Sequence, residues 1–235
     1  MSHLPYTLDT DDPATCPMGL IVLQTDETIE PDFASIFADN PSPIYVSRIA
    51  SAKTVSTDSL ADMETLLPAA ADLLPKARPY RVVGYGCTSA SSVIGSAHVE
   101  QMVQKACDVA TVTNPLRAAL AFASDLGIAK LALLSPYVEE VNEPLRRAFA
   151  KGGVSTDVFG TFGEAEEANV VRISTQSIVE NACALGADPA VEAVFLSCTN
   201  LRTLRAIPQI RARIGKPVLS SNQSLAWHMD RLNAA

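Results

Sequence analysis

Apolar positions along the chain fall into short unbroken runs, separated by longer stretches in which they recur every three or four residues. Residues 18–24 (MGLIVLQ), 43–50 (PIYVSRIA), 80–86 (YRVVGYG) and 108–114 (DVATVTN) predict four strands in the first half. Residues 130–136 (KLALLSP), 154–162 (VSTDVFGTF), 190–197 (AVEAVFLS) and 216–222 (KPVLSSN) predict four more in the second. Helical periodicity fills 58–74, 92–106, 115–126, 138–150, 174–186, 200–213 and 222–232. Strands that alternate with helices predict an α/β fold of parallel sheets flanked by helices.

Local chemistry sharpens some boundaries. Asn114 before Pro115 supplies an N-cap and a first-turn proline, and Gly127 suits a helix C-terminus. Asn222 holds the matching place in the second half, whereas Pro144 argues against one continuous helix over 138–150.

The pattern also repeats. Cys87 and Cys198 lie 111 positions apart, and so do Gly19 and Lys130, which open GLIVLQTD and KLALLSPY. Asp26 and Tyr137 then correspond, each closing the first strand of its half. Two landmarks with one offset predict two pseudo-symmetric lobes: residues 1–114, with 220–235 returning to them, and residues 115–219. The active site is expected in the interlobe cleft.

Ligands of parallel α/β sheets bind beyond the carboxyl ends of the strands. Cys87, Cys198, Asp26 and Tyr137 all fall there, so facing lobes would set two thiols on opposite sides of one small molecule. One could take a proton while the other delivers one to the opposite face. If each cysteine opens a helix, unpaired N–H groups there lower its thiol pKa. With the hydroxyls of Thr88, Ser89 and Thr199 and the amide of Asn200, they could hold a carboxylate and its enediolate. Structural alternatives stand beside these roles: Thr88, Ser89, Thr199 and Asn200 as helix caps, Asp26 as a turn residue, Tyr137 as a core ring. Glu30 suits the first turn of the helix after Asp26, and Cys16, Cys107 and Cys183 read as small apolar side chains.

Composition narrows the classes. The 235 residues are 48% hydrophobic, enough for a substantial core, without the long apolar run of a membrane span. Twenty-six acidic against eighteen basic residues give a charge of -8, which disfavours nucleic acid as a partner. The opening MSHLPYTLDTDDPATCP lacks the basic start and apolar stretch of a signal peptide, so the expected location is cytoplasmic. Five cysteines without C-x-x-C or His/Cys spacing predict reduced thiols and no metal site. His3, His98 and His228 stand in no recognisable motif for a Cys-His hydrolase.

The quoted motifs resemble those of the aspartate/glutamate/hydantoin racemase superfamily, over nearly the whole chain. GLIVLQTDETIE (19–30), GYGCTSASSVIG (84–95), LLSPYVEEVNEPL (133–145), EEANVVRIS (166–174) and FLSCTN (195–200) are similar to segments of its branch holding maleate isomerase and arylmalonate decarboxylase. VLQTDETIE (22–30) also resembles the racemase-like member of ectoine utilisation. The resemblance implies catalysis without a cofactor, with Cys87 as nucleophile or base and Cys198 as the opposing acid. It implies Tyr137 and Asn169 as carboxylate ligands, Asn169 on this ground alone, and a homodimer. Arylmalonate decarboxylases use one cysteine, so two speak against that activity. Asp26 stands where maleate isomerases have a carboxylate-binding Asn; an ionised Asp there favours a cationic nitrogen. The expected function is a two-cysteine racemase or epimerase of a small nitrogen-containing carboxylate, such as an amino acid or cyclic amidine acid. Maleate-type cis–trans isomerisation through a Cys nucleophile is the alternative reaction, and a non-catalytic small-ligand binder the alternative class.

Overall fold

The computed structural model describes residues 3–10 and 15–234. Its first sheet contains β1 (Met18–Leu23), β2 (Ile44–Ile49), β3 (Tyr80–Gly86) and β4 (Val109–Thr113), in the order β2-β1-β3-β4. The second contains β5 (Leu131–Tyr137), β6 (Phe159–Glu164), β7 (Ala193–Leu196) and β8 (Val218–Ser220), in the order β6-β5-β7-β8. All pairings in both ladders are parallel. The two sheets therefore share one topology, as the repeat predicts. In each, strand order reverses between the first and third strands of the lobe. A crevice opens at the carboxyl ends of strands at such a switch point.

Strand side chains alternate between two cores. Met18, Leu20 and Val22 of β1 face one cluster, while Ile21 and Leu23 face another; Leu131 and Leu133 of β5 are likewise separated from Ala132 and Leu134. Both faces are apolar because helices cover both.

The helices that follow the fourth strands bring the two halves together. α5 (Pro115–Asp125) follows β4, yet its Leu116, Ala119 and Ala123 pack with Leu131, Leu133, Phe195 and Leu219 of the second sheet. α10 (Ser221–Ala234) follows β8, yet its Leu225, Ala226 and Met229 cover Met18, Leu20, Val22 and Val82 of the first. Phe122 of α5 and Trp227 of α10 stack with ring centroids 4.4 Å apart. Asn114 caps α5 by accepting from the Arg117 N–H at 3.0 Å, with Pro115 in the first turn.

Several elements differ from the sequence expectation. The stretch 92–106 belongs to two helices, α3 (Thr88–Ile94) and α4 (Ser96–Ala106), separated at Gly95, whose φ of 94° is open to glycine without strain. α6 (Glu139–Lys151) runs on through Pro144. The strand expected over 154–162 is displaced to Phe159–Glu164. The helix expected over 200–213 is confined to α9 (Ile207–Ile214), and residues 197–206 form an irregular loop after β7. A short α1 (Ile29–Ile36) follows β1 with Glu30 in its first turn, and a single turn, α7 (Glu167–Val170), follows β6. α2 (Thr57–Asp72) and α8 (Thr175–Gly186) occupy the places predicted for them. No helix among the described residues is long and apolar enough to cross a membrane.

Candidate active site

The crevices of the two sheets meet in one narrow cleft. Cys87, Thr88 and Ser89 line it from the end of β3, Leu23, Thr25 and Asp26 from the end of β1, Tyr137 from β5, Glu167 from α7, and Cys198, Thr199 and Asn200 from the end of β7. Eight of the nine site residues expected from sequence are thereby brought together.

Asn169 is not among them. It is exposed on α7, where its side chain serves Glu164, and Glu167 takes the place in the cleft. Residues two apart on a helix point to different sides, so a two-position offset exchanges an exposed residue for a buried one.

The two cysteines occupy unequal corners. Cys87 is the N-cap of α3, and its Sγ accepts from the Ala90 N–H at 3.3 Å. Cys198 opens no helix. It has φ 86°, the left-handed region, and is the only non-glycine residue there among the described residues. Such a backbone costs roughly 1–3 kcal/mol and persists where the surroundings enforce it. The Cys198 Sγ meets the Asn200 N–H at 3.3 Å and the Tyr137 hydroxyl at 3.0 Å.

A network around Cys198 fixes both lobes. Tyr137 Oη donates to Glu167 Oε1 at 2.5 Å, and Asn200 Nδ2 donates to Glu167 Oε2 at 2.7 Å. Asn200 Oδ1 accepts from the Glu27 N–H at 2.9 Å, and the Asn200 carbonyl accepts from the Thr28 hydroxyl at 2.9 Å. The amide of Asn200 is thus committed to protein partners and serves as a staple between the lobes. Thr199 Oγ1 donates across the cleft to the Gly86 carbonyl at 3.2 Å, and Thr88 Oγ1 donates to Ser221 Oγ at 2.8 Å. A register shift between Ser135 and Tyr137 in the β5–β6 ladder lies next to the ring, and Asn142 Nδ2 holds the Tyr137 carbonyl at 2.7 Å.

Asp26 is buried, and its Oδ1 accepts from the Thr28 and Ile29 N–H groups at 2.8 Å each, fastening the start of α1. Its Oδ2 has no hydrogen-bond partner; the nearby Thr199 hydroxyl is turned to Gly86. Beneath it, Arg48 Nη1 gathers the carbonyls of Leu23, Gln24 and Asp26.

Electrostatics reverses one expectation. Burial pushes the Cys87 thiol up to about 12, against the pull of the Ala90 N–H and with a further push from Glu167 and Asp26. Burial likewise drives Cys198 well above the ordinary thiol range, with Glu167 adding to it. The helix-start effect is outweighed because desolvation of a thiolate exceeds what one or two N–H groups return. Burial also raises the Asp26 and Glu167 carboxyls. Among the described residues no Lys, Arg or His lines the cleft. Among the described residues no group of three or more His, Cys, Asp or Glu side chains is placed to hold a metal ion.

Known proteins share this architecture. An arylmalonate decarboxylase variant superposes with a TM-score of 0.81 at 23% identity, covering 93% of each chain. The maleate isomerase of Pseudomonas putida S16 with maleate gives 0.78 at 20% identity, covering 91% of this chain and 90% of that one. A Nocardia farcinica maleate cis–trans isomerase variant with a covalently bound succinylcysteine intermediate gives 0.77 at 23%, covering 92% of each. In sequence, the arylmalonate decarboxylase of Bordetella bronchiseptica is 33% identical over 122 residues, which span 52% of this chain and only 48% of that relative. The family model described as arylmalonate decarboxylase matches residues 18–234. The chain therefore belongs to the arylmalonate decarboxylase family, within the maleate isomerase and arylmalonate decarboxylase branch that its motifs resemble.

Proposed function

We propose that this protein is a cofactor-independent racemase or epimerase of a small carboxylate bearing a cationic nitrogen, with Cys87 and Cys198 as its acid–base pair. The observation that carries the reading is the composition of the cleft: a thiol beyond the end of a corresponding strand in each lobe, two buried acids and, among the described residues, no basic side chain. A dicarboxylate entering it finds no cation to pair with. An ammonium or amidinium finds Asp26 and Glu167. Opposite charges at about 4 Å attract by roughly 4 kcal/mol at an effective dielectric of about 20, so the sign of the lining selects the substrate. The unpartnered Oδ2 of Asp26 is an acceptor awaiting a donor, and a bound cation returns a buried carboxyl to its ionised form.

In turnover one cysteine, as thiolate, removes the proton alpha to the carboxylate, and the electron pair delocalises into an enediolate. The opposing thiol returns a proton to the other face, leaving the configuration inverted and the roles exchanged. The Ser89 hydroxyl, at the start of α3, is available to the carboxylate. Amino acids with a second nitrogen and cyclic amidine acids of the ectoine type have the required groups.

The test is incubation of both substrate classes in deuterium oxide, read by mass and by chiral separation. Deuterium is expected at the alpha carbon together with loss of optical purity. Cys87→Ser and Cys198→Ser are each expected to slow turnover by about 10²–10⁴, the range for loss of a general acid or base. Full activity in both variants overturns the reading. The second reading, maleate-type isomerisation by thiol addition, is favoured by the likeness to the succinylcysteine structure. Fumarate formed from maleate without alpha-carbon labelling would establish it instead.

A further inference from the structure

We propose that a second cavity, separate from the cleft, binds a small zwitterion of the amino-acid class, its ammonium group on Asp32 and its carboxylate on Arg202 and Arg205. The cavity holds about 300 Å³ and shares no lining residue with the cleft. That volume is at the lower end of the ~300–1,000 Å³ usual for small-molecule sites. Its walls come from different lobes and carry opposite charge. Glu27 and Asp32, from the turn after β1 and from α1, form the acidic wall, and Arg202 and Arg205, from the loop after β7, form the basic one. Among the described residues no ion pair joins the two walls. A ligand with one charge is attracted by one wall and repelled by the other. A ligand carrying both signs completes the two pairings at once.

The individual groups have capacity to spare. Asp32 gives Oδ2 to Asn222 Nδ2 at 2.8 Å, and its Oδ1 has no donor among the described residues. Arg202 Nη2 makes one long contact, 3.4 Å to the Ile173 carbonyl, and the Arg205 guanidinium has no hydrogen-bond partner among the described residues. A guanidinium presents paired N–H groups that match the two oxygens of a carboxylate. The cavity also adjoins the cleft wall. Its Thr28 hydroxyl donates to the Asn200 carbonyl at 2.9 Å, and the Glu27 N–H donates to Asn200 Oδ1 at 2.9 Å. The amide that holds Asp32 also holds the Thr199 carbonyl at 2.8 Å. A zwitterion bridging the walls therefore ties together the same two loops that Asn200 staples. The assignment does not depend on the reaction proposed for the cleft.

The test is protection of the arginines in the whole protein. Phenylglyoxal modification of Arg202 and Arg205 is followed by peptide mass at pH 8, with exposed Arg213 of α9 as the internal control. The probes are glycine, β-alanine, 4-aminobutyrate and 6-aminohexanoate, in which the two charges stand progressively further apart. Propionate and propylamine are the single-charge controls, at matched ionic strength. At least one zwitterion is expected to protect both arginines saturably, slowing their modification about tenfold at ten times its Kd by mass action, with Arg213 unchanged. The single-charge compounds are expected to protect less than about twofold at the same concentration, as isolated pairs with exposed arginines are weak. Asp32→Asn, which keeps an acceptor for Asn222, is expected to abolish protection by the zwitterion while leaving the unprotected rates at Arg202 and Arg205 as in wild type. Absence of protection across the series overturns the proposal. Protection matched by propionate, or retained in Asp32→Asn, shows an anion-binding surface only and overturns it equally. The deuterium experiment bears on the cleft alone, so the two readings stand or fall separately.

Discussion

Behind the cleft, Asp32 of α1 accepts from Asn222 Nδ2 at 2.8 Å, and the same amide donates to the Thr199 carbonyl at 2.8 Å. Burial, with a smaller push from Asp26, lifts the Asp32 carboxyl from 3.8 to about 6 despite the Asn222 bond. A carboxyl raised on folding binds its proton more tightly in the native state, so its stabilising contribution is complete below pH 3.8 and lost as pH rises through 6. Asp32→Asn, which keeps an acceptor for Asn222, is therefore expected to gain in melting temperature relative to wild type between those values and to hold the gain at neutral pH. A difference that shrinks as pH rises would contradict it. Residue-scale chemistry was legible where a strand end met a polar corner, as at Asp26, Cys87, Tyr137 and Cys198. Glu167 was not legible: nothing within EEANV distinguishes the buried acid from its exposed neighbours, because long-range pairing of residues 165–167 with 53–55 decides which side faces inward.

Among the elements, strands were readable because both faces of each sheet are covered, which turns them into continuous apolar runs. The loop after β7 misled. Residues 199–206 have helical composition, but Thr199 and Asn200 spend their polar groups on the opposite lobe, and α9 waits for Pro208 in its first turn. That proline was the available signal. α10 carries a consequence for integrity. It is the cover of Met18, Leu20, Val22 and Val82, all fully buried. Exposing four such side chains at about 1.5–3 kcal/mol each is comparable to the ~5–15 kcal/mol that a native domain holds in reserve. A chain ending at residue 220 is expected to lose its cooperative thermal transition and bind a hydrophobic dye; a sharp transition near the full-length temperature would show that α10 is dispensable.

For the molecule as a whole, exchange of α5 and α10 between sheets means that neither half completes its own core. Duplicated sheets with crossed helices place two equivalent strand-end corners opposite each other, and this is how a 111-residue repeat becomes one cleft instead of two. The repeat was visible in spacing despite little side-chain identity, since topology constrains where strands end more than which residues fill them. Chemical inequality of the halves was hidden for the same reason. Equal spacing gives each lobe a cysteine, while the surroundings of each thiol come from both lobes at once. The overall charge of -8 and the acid-lined cleft act in the same direction, favouring approach of a cation.

The left-handed backbone at Cys198 has a consequence for how such an enzyme ages under mutation. At most positions glycine is a poorer replacement than alanine, since it loosens the unfolded chain. Here the order inverts: Cys198→Gly is expected to be more stable than Cys198→Ala by about 1 kcal/mol in denaturant melts, because only glycine occupies that conformation without steric cost. Under the acid–base role proposed for Cys198, the more stable glycine variant would be an inert protein.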